Sequence, residues 1–292
     1  ALPRVIMAAT LAISLLVGIM TLLLAVAGLA PAMALADAVS VATTGLVTPG
    51  RAAMAPVSAV HAILVFVGLL VSTIGLAVAL EIRAARWRRV QRDPEIITLL
   101  VLLALAVSAL VLAGVPVDNA TGLALSLQST AGLPLFPPDL VREAPLPLVL
   151  FGPLVGGAAL STAGGIKLAR LALLGARAGE EFARLGFRDS VVVMRYRDRV
   201  QRDSAMIGVW VYVVAYFAAI AGLMVMLSLI GLEFPAAAAT SVGLLSNTGA
   251  LVWLPPEAQG GAGALISGLA MMAGRLEVIT LIPALSLSFW RG

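Results

Sequence analysis

No cysteine occurs in the 292 residues, and histidine occurs once, at His61. A disulfide framework and a Cys-ligated metal are excluded, and one histidine is too few for a His-based metal or catalytic site. Charge is scarce as well. Only 12% of residues are Asp, Glu, Lys or Arg, against about 25% in a typical soluble domain. No paired carboxylates, nucleophile elbow or phosphate loop stands out; Gly164-Gly165-Ile166-Lys167 lacks the Walker spacing. The sequence therefore offers no enzyme chemistry.

What the chain has instead is apolar length. Hydrophobic residues make up 61% of it, and its mean hydropathy is +1.07. Apolar runs recur at 5–29, 57–80, 96–115, 146–174, 205–232 and 261–289. Each is long enough to cross a hydrocarbon core of about 30 Å as a helix. Residues 5–29 are too long for the h-region of a signal peptide, and only Arg4 precedes them, so no cleaved leader is expected. The net charge of +4 would suit nucleic acid, but the charges are placed otherwise. Arg83, Arg86, Arg88, Arg89 and Arg92 follow the second run. Lys167, Arg170, Arg177, Arg184, Arg188, Arg195, Arg197, Arg199 and Arg202 follow the fourth, and Arg4 and Arg291 flank the ends. A six-helix arrangement puts all of these on one side, with Arg51 and Arg142 on the other and Arg275 inside a helix. The positive-inside rule then predicts cytoplasmic termini; a nucleic-acid-binding stripe would not follow this alternation.

One unit occurs three times: an apolar run, a short Thr/Ser-Gly loop, a second apolar run. The loops are Ala42-Thr43-Thr44-Gly45-Leu46, Ser129-Thr130-Ala131-Gly132-Leu133 and Ser246-Asn247-Thr248-Gly249-Ala250. Their glycines are 87 and 117 residues apart. The moderately apolar segments before them predict re-entrant helices at 33–43, 119–129 and 235–246, too short to cross a bilayer. Irregular backbone at membrane depth must be covered by protein or line water, so the three loops should share one cavity. The units divide the chain into 1–93, 94–204 and 205–292. Glycine and small neighbours suit a pore lining, where the carbonyls of Thr43, Thr44, Gly45, Thr130, Ala131, Gly132, Asn247, Thr248 and Gly249 replace an ion's hydration shell. No ring of carboxylates is present for a divalent ion, so a monovalent cation fits. Tight buried turns are the bland alternative.

The fourth run is interrupted. Gly152, Pro153, Gly156 and Gly157 are followed by Ser161-Thr162-Ala163-Gly164-Gly165-Ile166-Lys167, which predicts a broken helix with an irregular loop inside the membrane. The alternative is a helix ending near Leu160, with Lys167 snorkelling to the interface. Segment 175–203 reads as a surface helix followed by a short extended piece, either a solvated connector or a partner-docking surface. Arg275 is costly within a membrane helix, roughly 2.5–3.5 kcal/mol at its centre, so it should face the interior and have partners. Two-residue spacing puts Glu277 on another face; it is expected to brace a different helix.

The element Ser161-Thr162-Ala163-Gly164-Gly165-Ile166-Lys167 resembles the S-T-G-G-G-I-K element of the Trk/Ktr/HKT superfamily of potassium transporters. Gly274-Arg275-Leu276-Glu277 resembles that family's G-R-L-E. Asp37-Ala38-Val39-Ser40-Val41-Ala42-Thr43-Thr44-Gly45 and Ser246-Asn247-Thr248-Gly249 look like its degenerate filter loops. The resemblance implies an all-α membrane protein of repeated helix, pore-helix, helix units around a pseudo-symmetric pore. It also implies potassium uptake, with K⁺ as the transported ion, no organic cofactor, and nucleotide only through a partner. A homodimer in a bacterial inner membrane, coupled to a cytosolic nucleotide-binding ring at the basic 175–203 segment, is implied too. Residues 156–167 would be the gate beneath the filter, and Arg275 a barrier in the pore. The family has four units. The three here match the second to fourth, and truncation or an N-terminus beyond these residues is expected to account for the first. Ala131 in the middle filter, the nearby Pro134, Pro137 and Pro138, and Ala163 in place of a glycine depart from the pattern. A non-conducting subunit that keeps the scaffold for assembly or regulation is the alternative function.

Overall fold

The computed structural model describes residues 2–45, 58–75, 90–133, 135, 139–186, 195–196, 199–200, 203–253 and 260–276. The first unit is α1 (Leu2–Val26), α2 (Pro31–Thr43) and α3 (Ala59–Ile74). The second is α4 (Pro94–Leu112), α5 (Val117–Gln128), the short α6 (Leu140–Glu143) and α7 (Leu146–Val155). After an irregular stretch comes α8 (Leu168–Gly186) and a small antiparallel ladder, β1 (Arg195–Tyr196) with β2 (Arg199–Val200), pairing Arg195 with Val200 and Tyr196 with Arg199. The third unit is α9 (Asp203–Leu229), α10 (Phe234–Ser246) and α11 (Gly261–Arg275).

The same turn leads into each half-length helix. Gly28, Gly114 and Gly231 have φ of 97°, 93° and 95°, a region an L side chain rarely enters. The next amide reaches back five residues each time: Leu29 N–H donates to Leu24 O, Val115 to Leu110 and Leu232 to Leu227, at 3.0–3.2 Å. All six of these side chains are buried. This is a Schellman end with its usual hydrophobic contact. It stops the long helix, and a proline at Pro31, Pro116 or Pro235 helps start the next. The half-length helices α2, α5 and α10 have 13, 12 and 13 residues, about 18–20 Å at the rise of a helix. They begin and end within two residues of the sequence expectation.

Among the described residues, α1, α4 and α9 are long and apolar enough to cross a membrane. They bury little within the chain and expose Leu15, Leu22, Leu100, Leu105, Val214 and Val225, as lipid-facing helices do. The half-length helices are the opposite. Residues 122–128 of α5 and 237–246 of α10 are buried throughout. The largest apolar cluster gathers Leu123 and Leu127 of α5, Val149 of α7, Tyr212 and Tyr216 of α9 and Val242 and Leu245 of α10. The short helices are thus the core, and the long ones its wall.

Candidate ion path and intramembrane loop

Each half-length helix ends on a residue in the left-handed region: Thr44 at φ 48°, Thr130 at 59° and Asn247 at 62°. Each lies sixteen residues after the glycine that opened its turn. In two units the following amide closes the end, Gly45 N–H to Ser40 O at 3.1 Å and Thr248 N–H to Gly243 O at 2.7 Å. In the middle unit Gly132, not Ala131, makes that bond, to Ser126 O at 3.2 Å, and is itself at φ 62°. Backbone conformation therefore pairs Thr44 with Thr130 and Asn247, one residue away from the register that the three glycines suggest. Gly45 corresponds to Ala131 and Thr248.

Local side chains complete these turns. The hydroxyl of Thr43 donates to Val39 O at 2.8 Å and that of Thr44 to Thr43 O at 2.7 Å. Ser129 donates to Ser126 O at 3.0 Å, and Ser246 and Thr248 share a 2.8 Å bond. Thr44, Thr130, Ala131 and Thr248 are fully buried. The second and third loops touch: a Cβ on Gly132 would stand 2.8 Å from Ala250 N and 3.1 Å from Gly249 N. The first loop joins them through an arginine. Arg275 donates from one guanidinium nitrogen to Thr43 O at 2.5 Å and from another to Thr162 O at 2.7 Å.

Residues 156–167 carry no helix, as the glycine cluster predicts. The loop is pressed against the other loops. A Cβ on Gly164 would overlap the carbonyl oxygen of Ser246, and one on Gly156 that of Gly164. Gly165, at φ 77°, sits over Pro153 O and the Gly156 backbone. Groups from far along the chain hold it. Gln128 Nε2 donates to Gly156 O at 2.6 Å, and Gly164 N–H donates to the Thr130 hydroxyl at 2.7 Å. Ala158 N–H reaches Thr73 O at 3.0 Å, and Ala159 N–H the Glu95 carboxylate at 2.7 Å. Leu168 N–H returns to Gly157 O at 2.9 Å. Lys167, at φ 78°, donates to Ser161 O at 3.1 Å and to Ala163 O. These bonds tie the loop to itself.

The structure places Arg275 at the last residue of α11, with Leu276 capping, and not inside the helix as the sequence suggests. The residue is exposed overall, while its guanidinium reaches both loops. Glu277 lies outside the described residues. Sequence reading missed Glu95 and Gln128, because a single Glu after Asp93-Pro94 and a single Gln before a loop carry no pattern. It also missed the buried contact of His61 Nε2 with Asp37 Oδ2 at 3.1 Å, which packs α3 against α2. The paired glycines 28, 114 and 231 were readable: Leu24, Leu110 and Leu227 precede them at constant spacing, and Leu29, Val115 and Leu232 follow.

No protein-family model matches the chain. It is 33% identical over 145 residues to the Trk system potassium uptake protein TrkI of Halomonas elongata, covering 47% of this chain and 29% of that protein. It is 30% identical over 175 residues to the Trk system potassium uptake protein TrkH of Escherichia coli, covering 57% of this chain and 35% of that one. The chain thus spans well under two thirds of the curated relatives it matches. The crystal structure of the potassium transporter TrkH from Vibrio parahaemolyticus superposes with a TM-score of 0.78 at 22% identity, over 94% of this chain and 62% of that one. The chain is thus similar over about half its length to Trk potassium uptake proteins, and its fold is the repeated helical fold of TrkH.

Proposed function

We propose that the three units line a membrane path for potassium, with residues 156–167 as its gate. The observation that carries this is the meeting of three helix-end turns with one irregular loop at the centre of the fold. The C-termini of α2, α5 and α10, the negative ends of their dipoles, converge there and favour a cation. Carbonyls of residues 43–45, 130–132 and 247–249 supply a dehydrated monovalent ion with oxygen ligands. Arg275 is a tethered cation on the same ground. Its guanidinium already holds Thr43 O and Thr162 O, so it competes with a passing ion and pins the gate to the first filter loop. Opening requires that loop to leave Arg275 and Thr130.

The basic segment from Arg177 to Arg202 is the surface we assign to a cytosolic nucleotide-binding ring, with the protein homodimeric in a bacterial inner membrane and these termini cytoplasmic. Similarity to the named uptake proteins and the charge pattern support this assignment. The test is rubidium or potassium uptake by the full-length protein in transport-deficient cells. Uptake above vector control, increased by Arg275→Ala at equal membrane abundance, is expected. A folded protein with no uptake in either form would contradict the reading and leave an assembly or regulatory subunit.

A further inference from the structure

Glu95 is 3% exposed and lies in the first turn of α4. A carboxylate sealed at a membrane-helix end is expensive unless it is bonded. Its Oε2 accepts the Ala159 N–H at 2.7 Å, across 64 residues of sequence. Its own amide is bound by the Asp93 carboxylate at 2.9 Å, so the helix start is fixed and the side chain is aimed. Ala159 and Leu160 are the most exposed part of the 156–167 loop. The other long-range contacts, from Gln128, Thr130 and Arg275, hold the loop on its filter side. Ala158 N–H on Thr73 O lies beside the Glu95 bond but joins two backbones, which side-chain chemistry cannot tune.

We infer that Glu95 is a positioning residue for the gate: it holds the outer edge of the 156–167 loop against α4 and biases the loop to its closed arrangement. This rests on the proposed reading of that loop as a gate. The bond is charge-assisted and therefore stronger than a neutral one. It connects the loop to the helix that directly follows the basic segment Arg83–Arg92.

The test is rubidium uptake by the full-length protein with Glu95→Ala, Glu95→Asp and Glu95→Gln, and with Arg275→Ala as the reference. Ala removes the acceptor. Asp keeps the charge but is one methylene too short, and Gln keeps both the reach and an oxygen. Glu95→Ala and Glu95→Asp should raise maximal uptake by roughly tenfold or more, the range expected for losing a charge-assisted bond, with the apparent KM for rubidium unchanged. Glu95→Gln, which keeps an oxygen but loses the charge, should raise uptake by less than either. Parental rates in Ala and Asp while Arg275→Ala is raised would overturn the role of Glu95 and leave the pore reading standing. Equal gain in Gln and Ala would overturn the hydrogen-bond account. Loss of folded Glu95→Asp beside parental Glu95→Gln would mark a folding residue and overturn the gating role. No uptake by any form would overturn the pore reading and this inference with it.

Discussion

The filter loops and the 156–167 loop are both irregular backbone inside the fold, yet their polar groups are satisfied in opposite ways. Thr44, Thr130 and Asn247 turn at helix ends whose amides close on carbonyls five or six residues back. The hydroxyls of Thr43, Thr44 and Ser129 bond neighbours one to four residues away; the longer reaches are Thr130, which accepts from Gly164 N–H, and Asn247 Nδ2, which donates to Met271 O. The conformation of such a loop is set mainly by its own helix end. The 156–167 loop takes bonds from Thr73, Glu95, Gln128, Thr130 and Arg275, which belong to all three units. A few distant side chains decide where it lies. The contrast teaches which element is built to stay and which to move: local satisfaction fixes a conformation, and borrowed satisfaction makes it conditional.

The largest effect is expected where the two kinds of loop touch. Gly164→Ala drives a methyl into the Ser246 carbonyl, and neither backbone can yield cheaply. Overpacking of this kind costs about 3 kcal/mol or more. Thermal unfolding in detergent, followed by size-exclusion fluorescence, should show a large loss or no folded protein. Gly175→Ala, with nothing within 4 Å, is the silent control. Wild-type stability in Gly164→Ala would mean the loop does not rest on the third filter.

A smaller effect should follow from cutting the borrowed bond alone. Thr130→Val leaves the buried Gly164 N–H without an acceptor, at a cost of about 1–3 kcal/mol, whereas Thr130→Ser keeps the hydroxyl. The difference between Val and Ser in unfolding midpoint isolates that bond, and equal midpoints would dismiss it. The smallest effect is expected at the entry turns. Gly28→Ala, Gly114→Ala and Gly231→Ala meet open space but require positive φ, so each should cost about 1 kcal/mol. Three similar losses would show the turns to be equivalent; one silent site would break the threefold symmetry.

The half-length helices were legible because a moderately apolar segment too short to cross a bilayer ends each time in a hydroxyl-rich glycine loop. The broken fourth run was legible for the same reason, since Gly156, Gly157, Gly164 and Gly165 each disfavour a helix. The loop register was not. Glycine marks where φ can be positive, but Thr44, Thr130 and Asn247 take that conformation without being glycine, so aligning glycines displaces the first loop by one residue. The partners of Arg275 were also hidden. That it needed some followed from its cost in a membrane; that they are Thr43 O and Thr162 O depends on contacts 232 and 113 residues apart.

The most direct test of the account removes the conditional loop and leaves the fixed ones. Deleting Ala158 to Thr162 from the full-length protein takes away the bonds to Thr73, Glu95 and Arg275 together, while the three filter turns keep their own caps. Rubidium influx into proteoliposomes should rise well above the parental rate and no longer respond to cytosolic regulators. Parental influx from a folded, correctly inserted deletion protein would contradict the claim that this loop is the gate.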